Sequence, residues 1–238
     1  MIKNKKFMIP LVIVFSFTEL VLFFFVQLTT GKEWESVAYA SVVLACVFML
    51  TSFSKTKNYL FMQIGLVLTV FADWFLVVED PIQELPAMIF FSGTQICYFL
   101  RIFSNHKTEK QKCVHLVVRA ALSMLAIAIA VIILGEDADA VSLVSMFYYA
   151  NLILNVVFAF LQREASLIFP IGLLLFLMCD TVVGLNALSG YVHIENASAL
   201  NSILFGKINW AWVFYLPSQT LIALSLTEFK IEEKKEAF

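Results

Sequence analysis

The chain has 238 residues, of which 61% are hydrophobic and 14% are charged, and its formal net charge is -2. Soluble domains are nearer half apolar, so this composition excludes a soluble protein and predicts an integral membrane protein. Apolar runs of about 20 residues recur along the chain, each long enough to cross a bilayer, and they are too continuous for barrel strands. We predict an all-α polytopic membrane protein with eight transmembrane helices, over about 7–28, 35–54, 58–78, 85–103, 114–134, 141–162, 166–188 and 208–228.

The N-terminus, the loop 189–207 and the cysteines give further indications about the structure. The N-terminal MIKNKKF and the apolar run after it resemble a signal peptide, but no small-residue cleavage site follows. We therefore expect a retained first helix. The loop 189–207 has room for a short interfacial helix. The four cysteines have no metal-ligand spacing and three lie in apolar runs, which favours packed free thiols over disulfides.

The distribution of basic residues predicts the orientation. Fourteen lysines and arginines, Arg119 among them, fall in the loops and ends on one side of the predicted bundle, and only Lys32 and Lys207 fall on the other. Cytoplasmic loops are enriched in basic residues. Both termini are therefore predicted to be cytoplasmic, and the expected location is a bacterial plasma membrane.

An internal repeat relates the two halves of the chain. GLVLTVFAD at 65–73 matches GLLLFLMCD at 172–180, and FFSGTQ at 90–95 matches FYLPSQ at 214–219. A weaker match pairs Tyr39-Ala40-Ser41 with Tyr149-Ala150-Asn151. The two glycines predict close helix packing. Because four crossings restore the original side of the membrane, the halves would be parallel repeats related by an axis along the membrane normal. Within one transmembrane domain, 1–238, the predicted four-helix repeats are 1–110 and 111–238.

Three carboxylates lie well inside predicted crossings: Glu19, Asp73 and Asp180. Each costs a few kcal/mol on insertion scales, so it should face the bundle interior or a wet cavity. Glu19 has no counterpart in the repeat, and a structural or rim role is expected for it. Asp73 and Asp180 are candidate catalytic residues; the alternative is a structural contact between helices.

Other polar side chains are predicted at similar depth in the membrane. The candidate substrate-binding residues are Gln95, Tyr98, Asn151, Asn155, Tyr215 and Gln219. For each one alone, interhelical hydrogen bonding is the simpler interpretation, and their shared depth with the two aspartates is what favours a site. Two carboxylates in a low-dielectric cavity suit acid–base chemistry, since one can hold a proton while the other is ionised.

Several other chemistries lack support in the sequence. It contains no HExxH pattern, no Ser-His pairing and no phosphate-binding glycine loop, and its three histidines fall in loops or at a helix end. We predict no metal and no cofactor, and nothing indicates a nucleic-acid partner. The sequence does not indicate an oligomeric state.

Short motifs in four helices resemble those of the lysoplasmalogenase-like (YhhN) integral membrane family. The matches are Ala72-Asp73, Thr94-Gln95 with Tyr98, Cys179-Asp180, and Tyr215 with Gln219 and Leu221-Ile222. The resemblance implies hydrolysis of the vinyl ether bond of lysoplasmalogens to a fatty aldehyde and a glycerophospho-alcohol. It implies one aspartate as general acid and the other as the group that stabilises the cation and activates water. The implied partner is a lysophospholipid or another single-chain amphiphile, entering from among the membrane lipids with its headgroup toward the outer face.

Two other functions stay open at this point. A proton- or cation-coupled transporter would use the aspartates as ion sites and the repeats as rocking halves. A non-catalytic lipid-binding member of the fold is favoured by helix two, SVVLACVFML, which has no lysine where the family usually carries a Lys-Pro pair.

Overall fold

A computed structural model describes residues 5–29, 33–51, 57–106, 108–162, 167–188, 199–206 and 208–227. These residues form nine α-helices and no strand. The helices are α1 Lys5–Leu28, α2 Glu33–Thr51, α3 Lys57–Asp73, α4 Glu84–Ser104, α5 Glu109–Leu134, α6 Ala140–Leu161, α7 Ile168–Leu188, α8 Ala199–Phe205 and α9 Trp210–Leu224. A π-helical turn, Trp74–Val78, continues α3, and a 3-10 turn, Gly135–Asp137, follows α5.

Seven of the described helices are long and apolar enough to cross a membrane, which fits the predicted integral membrane protein. The eighth predicted crossing, 208–228, is present as α9, but its 15 residues extend only about 22 Å, less than the ~30 Å of a hydrocarbon core. The count of eight and the orientation therefore stay predictions. The short helix α8 lies in the loop where an interfacial helix was expected, and all four cysteines are free thiols.

Local capping explains where α5 begins. The Thr108 hydroxyl accepts a hydrogen bond from the Gln111 amide at 3.2 Å, and the Gln111 side chain accepts one from the Thr108 amide at 3.3 Å. This reciprocal pair is a capping box, which fixes a helix N-terminus. Helix α5 therefore starts before the predicted position 114 and places Arg119 about three turns inside the helix. Arg119, counted above with the loop residues that predict orientation, is an intramembrane residue by this placement.

Six helices close into a ring. In order around the ring, α2 packs against α3, α3 against α4, α4 against α6, α6 against α7, α7 against α9, and α9 against α2. Outside it, α1 packs against α2 and α9, and α5 packs against α6. The ring contains α2, α3 and α4 from the first predicted repeat and α6, α7 and α9 from the second. Its interior is where buried polar side chains can meet.

The closest helix contacts occur at corresponding places in the two halves. A Cβ atom added at Gly65 would lie 2.8 Å from the Tyr98 ring, and one added at Gly172 would lie 2.9 Å from Ile222 Cγ1. Tyr98 and Ile222 each lie three residues after the matching glutamines of the FFSGTQ and FYLPSQ motifs. The α3–α4 and α7–α9 pairs thus pack in the same register, at glycines whose missing side chain allows the approach.

A second pair of contacts follows the same correspondence. The Tyr39 ring packs against Trp74, the residue after Asp73, with centroids 6.0 Å apart. The Tyr149 hydroxyl lies 2.8 Å from that of Thr181, the residue after Asp180. Parallel repeats would produce such matched contacts, and the division into 1–110 and 111–238 stays a prediction.

Candidate active site

Asp73 lies where α3 changes from an α-helix to the π-helical turn, a distortion that is frequent at functional sites. Its side chain is 3% exposed, and its Oδ2 accepts a hydrogen bond of 2.6 Å from the Tyr215 hydroxyl. Tyr215 lies on α9, which is not a neighbour of α3 in the ring. The hydrogen bond therefore crosses the interior of the ring.

Asp180 on α7 forms a similar pair with a different tyrosine. Its Oδ2 accepts a hydrogen bond from the Tyr148 hydroxyl on α6. Tyr148 is buried, but Asp180 is only partly buried. Of the two aspartates, Asp180 is thus the residue with the larger exposed fraction.

Aromatic rings connect the two Asp–Tyr pairs. The Tyr148 ring lies 5.7 Å from Phe91, Phe91 lies 5.9 Å from Phe176, and Phe176 lies 5.5 Å from Tyr215, all between ring centroids. Asp73 and Asp180 are also close enough to interact electrostatically. We call the four residues Asp73, Tyr215, Asp180 and Tyr148 the Asp–Tyr cluster.

Tyr148 is a site residue that the sequence analysis missed. The repeat comparison drew attention to Tyr149 and Asn151, whereas the hydroxyl that reaches Asp180 belongs to the preceding residue. A signal was present, because Tyr148 lies three residues before Asn151 and hence on the same helix face.

Three of the predicted substrate-binding residues lie in a separate group, which we call the Arg119 cluster: Arg119, Asn151, Asn155 and Gln95. The Arg119 guanidinium donates to Asn151 Oδ1 and to Asn155 Oδ1, both at 2.6 Å, and Asn155 Nδ2 donates to Gln95 Oε1 at 2.9 Å. Asn151 and Asn155 therefore hold an intramembrane cation. The sequence analysis missed Arg119, although two asparagines four residues apart on one face indicate a polar partner.

The remaining predicted residues, Tyr98 and Gln219, lie inside the ring. Tyr98 packs against Gly65 and, at 5.8 Å between centroids, against Phe169. Gln219 is 1% exposed, and neither its oxygen nor its nitrogen forms a hydrogen bond with a described residue. It lies one turn from Tyr215 on the same face of α9. Since an unsatisfied buried amide is costly, Gln219 is suited to hold a polar group of a ligand.

Glu19 makes a buried contact between α1 and α2. Its carboxylate is buried and accepts a hydrogen bond from the Ser41 hydroxyl of α2. Ser41 corresponds to Asn151 in the repeat, and Asn151 binds Arg119 of α5. The outer helices α1 and α5 thus each contribute an ionisable side chain that contacts a neighbouring helix, Glu19 on α1 and Arg119 on α5.

A cavity of about 720 Å³ lies where the end of α1 meets α7, α8 and the start of α9, and none of the four residues of the Asp–Tyr cluster lines it. The described residues that line it are Val26, Gln27, Thr29, Trp34, Val182, Val183, Asn186, Ala187, Ile203, Leu204, Gly206, Ile208, Asn209, Trp210 and Ala211. Val182 lies two residues after Asp180, and Ala211 lies one turn before Tyr215. This volume lies within the range of ordinary ligand pockets, and we call it the outer cavity.

Within the described ranges, no group of three or more histidine, cysteine, aspartate or glutamate side chains is placed to hold a metal ion. The chemistry available to the Asp–Tyr cluster is proton transfer by two carboxyl groups, each oriented by a tyrosine hydroxyl.

Comparison with known proteins agrees with the sequence motifs. No curated protein and no solved structure matches the chain. The YhhN family does match it, over residues 36–226. This match includes the helices that form the ring and every residue of the Asp–Tyr cluster. The chain therefore belongs to the YhhN family.

Proposed function

We propose that this protein is a membrane-embedded hydrolase that cleaves the vinyl ether bond of lysoplasmalogens, with release of a fatty aldehyde and a glycerophospho-alcohol. The Asp–Tyr cluster carries the proposal, because two hydrogen bonds to tyrosines and the ring contacts between those tyrosines connect a carboxyl group on α3 with one on α7. Membership of the YhhN family supports the same chemistry.

The mechanism begins with proton transfer to carbon. A vinyl ether is protonated at its outer alkene carbon, which leaves an oxocarbenium ion at the carbon bonded to oxygen. Asp73 is assigned as the acid, because Tyr215 binds its Oδ2 and leaves Oδ1 to carry the transferable proton. A positioned general acid of this kind typically contributes 10²–10⁴-fold to a rate.

Water then captures the cation. Asp180 is assigned as the base, because it is the partly exposed acid and lies two residues before the wall of the outer cavity, from which water can approach. It stabilises the cation and takes a proton from the attacking water. The resulting hemiacetal loses its bond to the glycerol oxygen, which takes up a proton as the aldehyde leaves.

We assign the position of the lipid from its two chemically different parts, the hydrocarbon chain and the polar headgroup. The single hydrocarbon chain lies between helices, and the glycerol and headgroup occupy the outer cavity. The Gln219 carboxamide, which has no partner among the described residues, is placed to bind a glycerol oxygen. The headgroup then lies toward the predicted outer face.

The test uses the purified protein in detergent and two lipids that differ at one bond. We expect a lysoplasmalogen to release aldehyde, and the saturated alkyl ether with the same chain and headgroup to stay intact. In D₂O the aldehyde should carry one deuterium on the carbon next to the carbonyl, because that carbon receives the proton. Folded protein that releases no aldehyde, or that cleaves both lipids equally, contradicts the proposal.

The tyrosines provide a matched set of variants. Tyr215→Phe and Tyr148→Phe each remove a hydroxyl that orients an aspartate, and we expect aldehyde release to fall about tenfold or more, the effect of one hydrogen bond to a charged group. Tyr149→Phe is the control, since its hydroxyl pairs with Thr181 instead. Equal losses in all three variants would mean that the tyrosines only support the fold.

The two alternative functions give different results with the same preparation. A proton- or cation-coupled carrier would show pH-dependent flux in liposomes and no aldehyde. A non-catalytic lipid-binding protein would bind the lysoplasmalogen and return it intact.

A further inference from the structure

A second cavity, of about 810 Å³, lies at the opposite end of the bundle, where α4 and α6 end and α5 begins. The described residues that line it include the polar His106, Lys110 and Gln111 and the apolar Val114, Phe158 and Leu161. Leu161 is 68% exposed and Val114 is 50% exposed. Two of the apolar lining residues thus lie on the outside of the bundle. We call this volume the inner cavity.

A chain of hydrogen bonds determines which nitrogen of His106 carries its proton. The Arg119 guanidinium can only donate, so His115 Nε2, 3.2 Å away, must accept. The proton of His115 is therefore on Nδ1, which lies 2.7 Å from His106 Nε2. His106 Nε2 accepts in turn, which leaves Nδ1–H of His106 as a donor.

Lys110 is the one lysine, arginine, aspartate or glutamate among the described residues that line the inner cavity. The neighbouring Glu109 carboxylate is held by Lys112 at 2.7 Å. Behind the two histidines lies Arg119, which forms no ion pair with a carboxylate among the described residues. Burial and the nearby Lys112 ammonium also lower the pKa of His106, which keeps its ring neutral in the tautomer derived above.

We propose that the inner cavity binds the phosphate group of a membrane phospholipid, with Lys110 and the Nδ1–H of His106 as donors. Phosphate oxygens accept hydrogen bonds and carry the opposite charge, and basic pockets between transmembrane helices commonly bind lipid headgroups. The apolar lining residues Val114, Phe158 and Leu161 favour a lipid over free phosphate. Arg119 is a positioning residue, because it acts through His115. The site is independent of the proposed hydrolysis.

The test measures unfolding of the full-length protein in dodecyl maltoside with three probes: dioleoylphosphatidylglycerol, dioleoylglycerol and inorganic phosphate at matched ionic strength. We expect phosphatidylglycerol to raise the unfolding temperature in a concentration-dependent way and dioleoylglycerol not to do so. A shift produced equally by inorganic phosphate would retain the site but identify free phosphate as its ligand.

Lys110→Gln and Lys112→Gln form a matched pair, because both remove one positive charge near the start of α5 and only Lys110 lines the inner cavity. We expect Lys110→Gln to weaken the apparent affinity for phosphatidylglycerol about tenfold and Lys112→Gln to retain most of it. Nitrogen-15 NMR of the histidines should show protons on Nδ1 of His106 and His115, with His106→Phe used for assignment. Equal responses to the two lipids, equal affinities of the two lysine variants, or a His106 proton on Nε2 would overturn the proposal.

Discussion

Aldehyde release from lysoplasmalogen is expected to fall by about 10²–10⁴-fold when either Asp73 or Asp180 is replaced by asparagine. The carboxamide has nearly the same size as the carboxyl group but can neither supply nor accept the proton. Its oxygen can still accept the hydrogen bond from Tyr215 or Tyr148. The substitution therefore removes the chemistry and retains the contact between helices.

The measurement is aldehyde release by purified variants, each with its unfolding temperature recorded. Asp139→Asn is the control: Asp139 caps the start of α6 by accepting from the Ser142 amide at 2.8 Å, and asparagine caps helices equally well. Because residues that act as a unit have non-additive effects, the double variant Asp73→Asn/Asp180→Asn should be little worse than either single variant. Full activity in folded Asp73→Asn protein would contradict the assigned acid.

The second large effect is expected at Gly172. Gly172→Ala should destabilise the protein by about 1–3 kcal/mol, the usual cost of overpacking. The new Cβ would lie 2.9 Å from Ile222 Cγ1 and 3.2 Å from the Ile222 backbone nitrogen. Because backbone cannot rotate away as a side chain can, α7 and α9 must move apart by a few tenths of an ångström at this point. Since α9 carries Tyr215, the same variant should also lose activity.

Gly184→Ala is the matched control, on the same helix. A Cβ there meets no atom within 4 Å, and alanine is the better helix former by roughly 0.5–1 kcal/mol. Thermal unfolding of the two variants should therefore shift in opposite directions. Truncating the neighbour in Gly172→Ala/Ile222→Ala should cost less than the sum of the single changes, as expected for residues in contact. Equal tolerance of alanine at Gly172 and Gly184 would show that the close approach is not needed.

Much of the architecture is predictable from the sequence because the bilayer imposes simple rules. Long apolar runs must be helices, since unsatisfied backbone groups are not tolerated in lipid, and the described helices lie close to the predicted ones. Among the helices found at the eight predicted crossings, α9 is the shortest, at 15 residues. The start of α5 was missed because the capping box at Thr108 lies outside the apolar run that was used to locate the helix.

The candidate site was likewise predictable only in part. By itself the sequence identified Asp73 and Asp180, because a carboxylate inside an apolar run is costly and must have a reason. Only the tertiary structure decided that Tyr215 donates a hydrogen bond to Asp73 and that Tyr148 donates one to Asp180. It also decided that Asn151 and Asn155 accept hydrogen bonds from Arg119. Position along the chain determines the depth of a residue in the membrane. The direction in which its side chain points depends on how each helix is rotated and packed in the ring, which is set by all of its neighbours together.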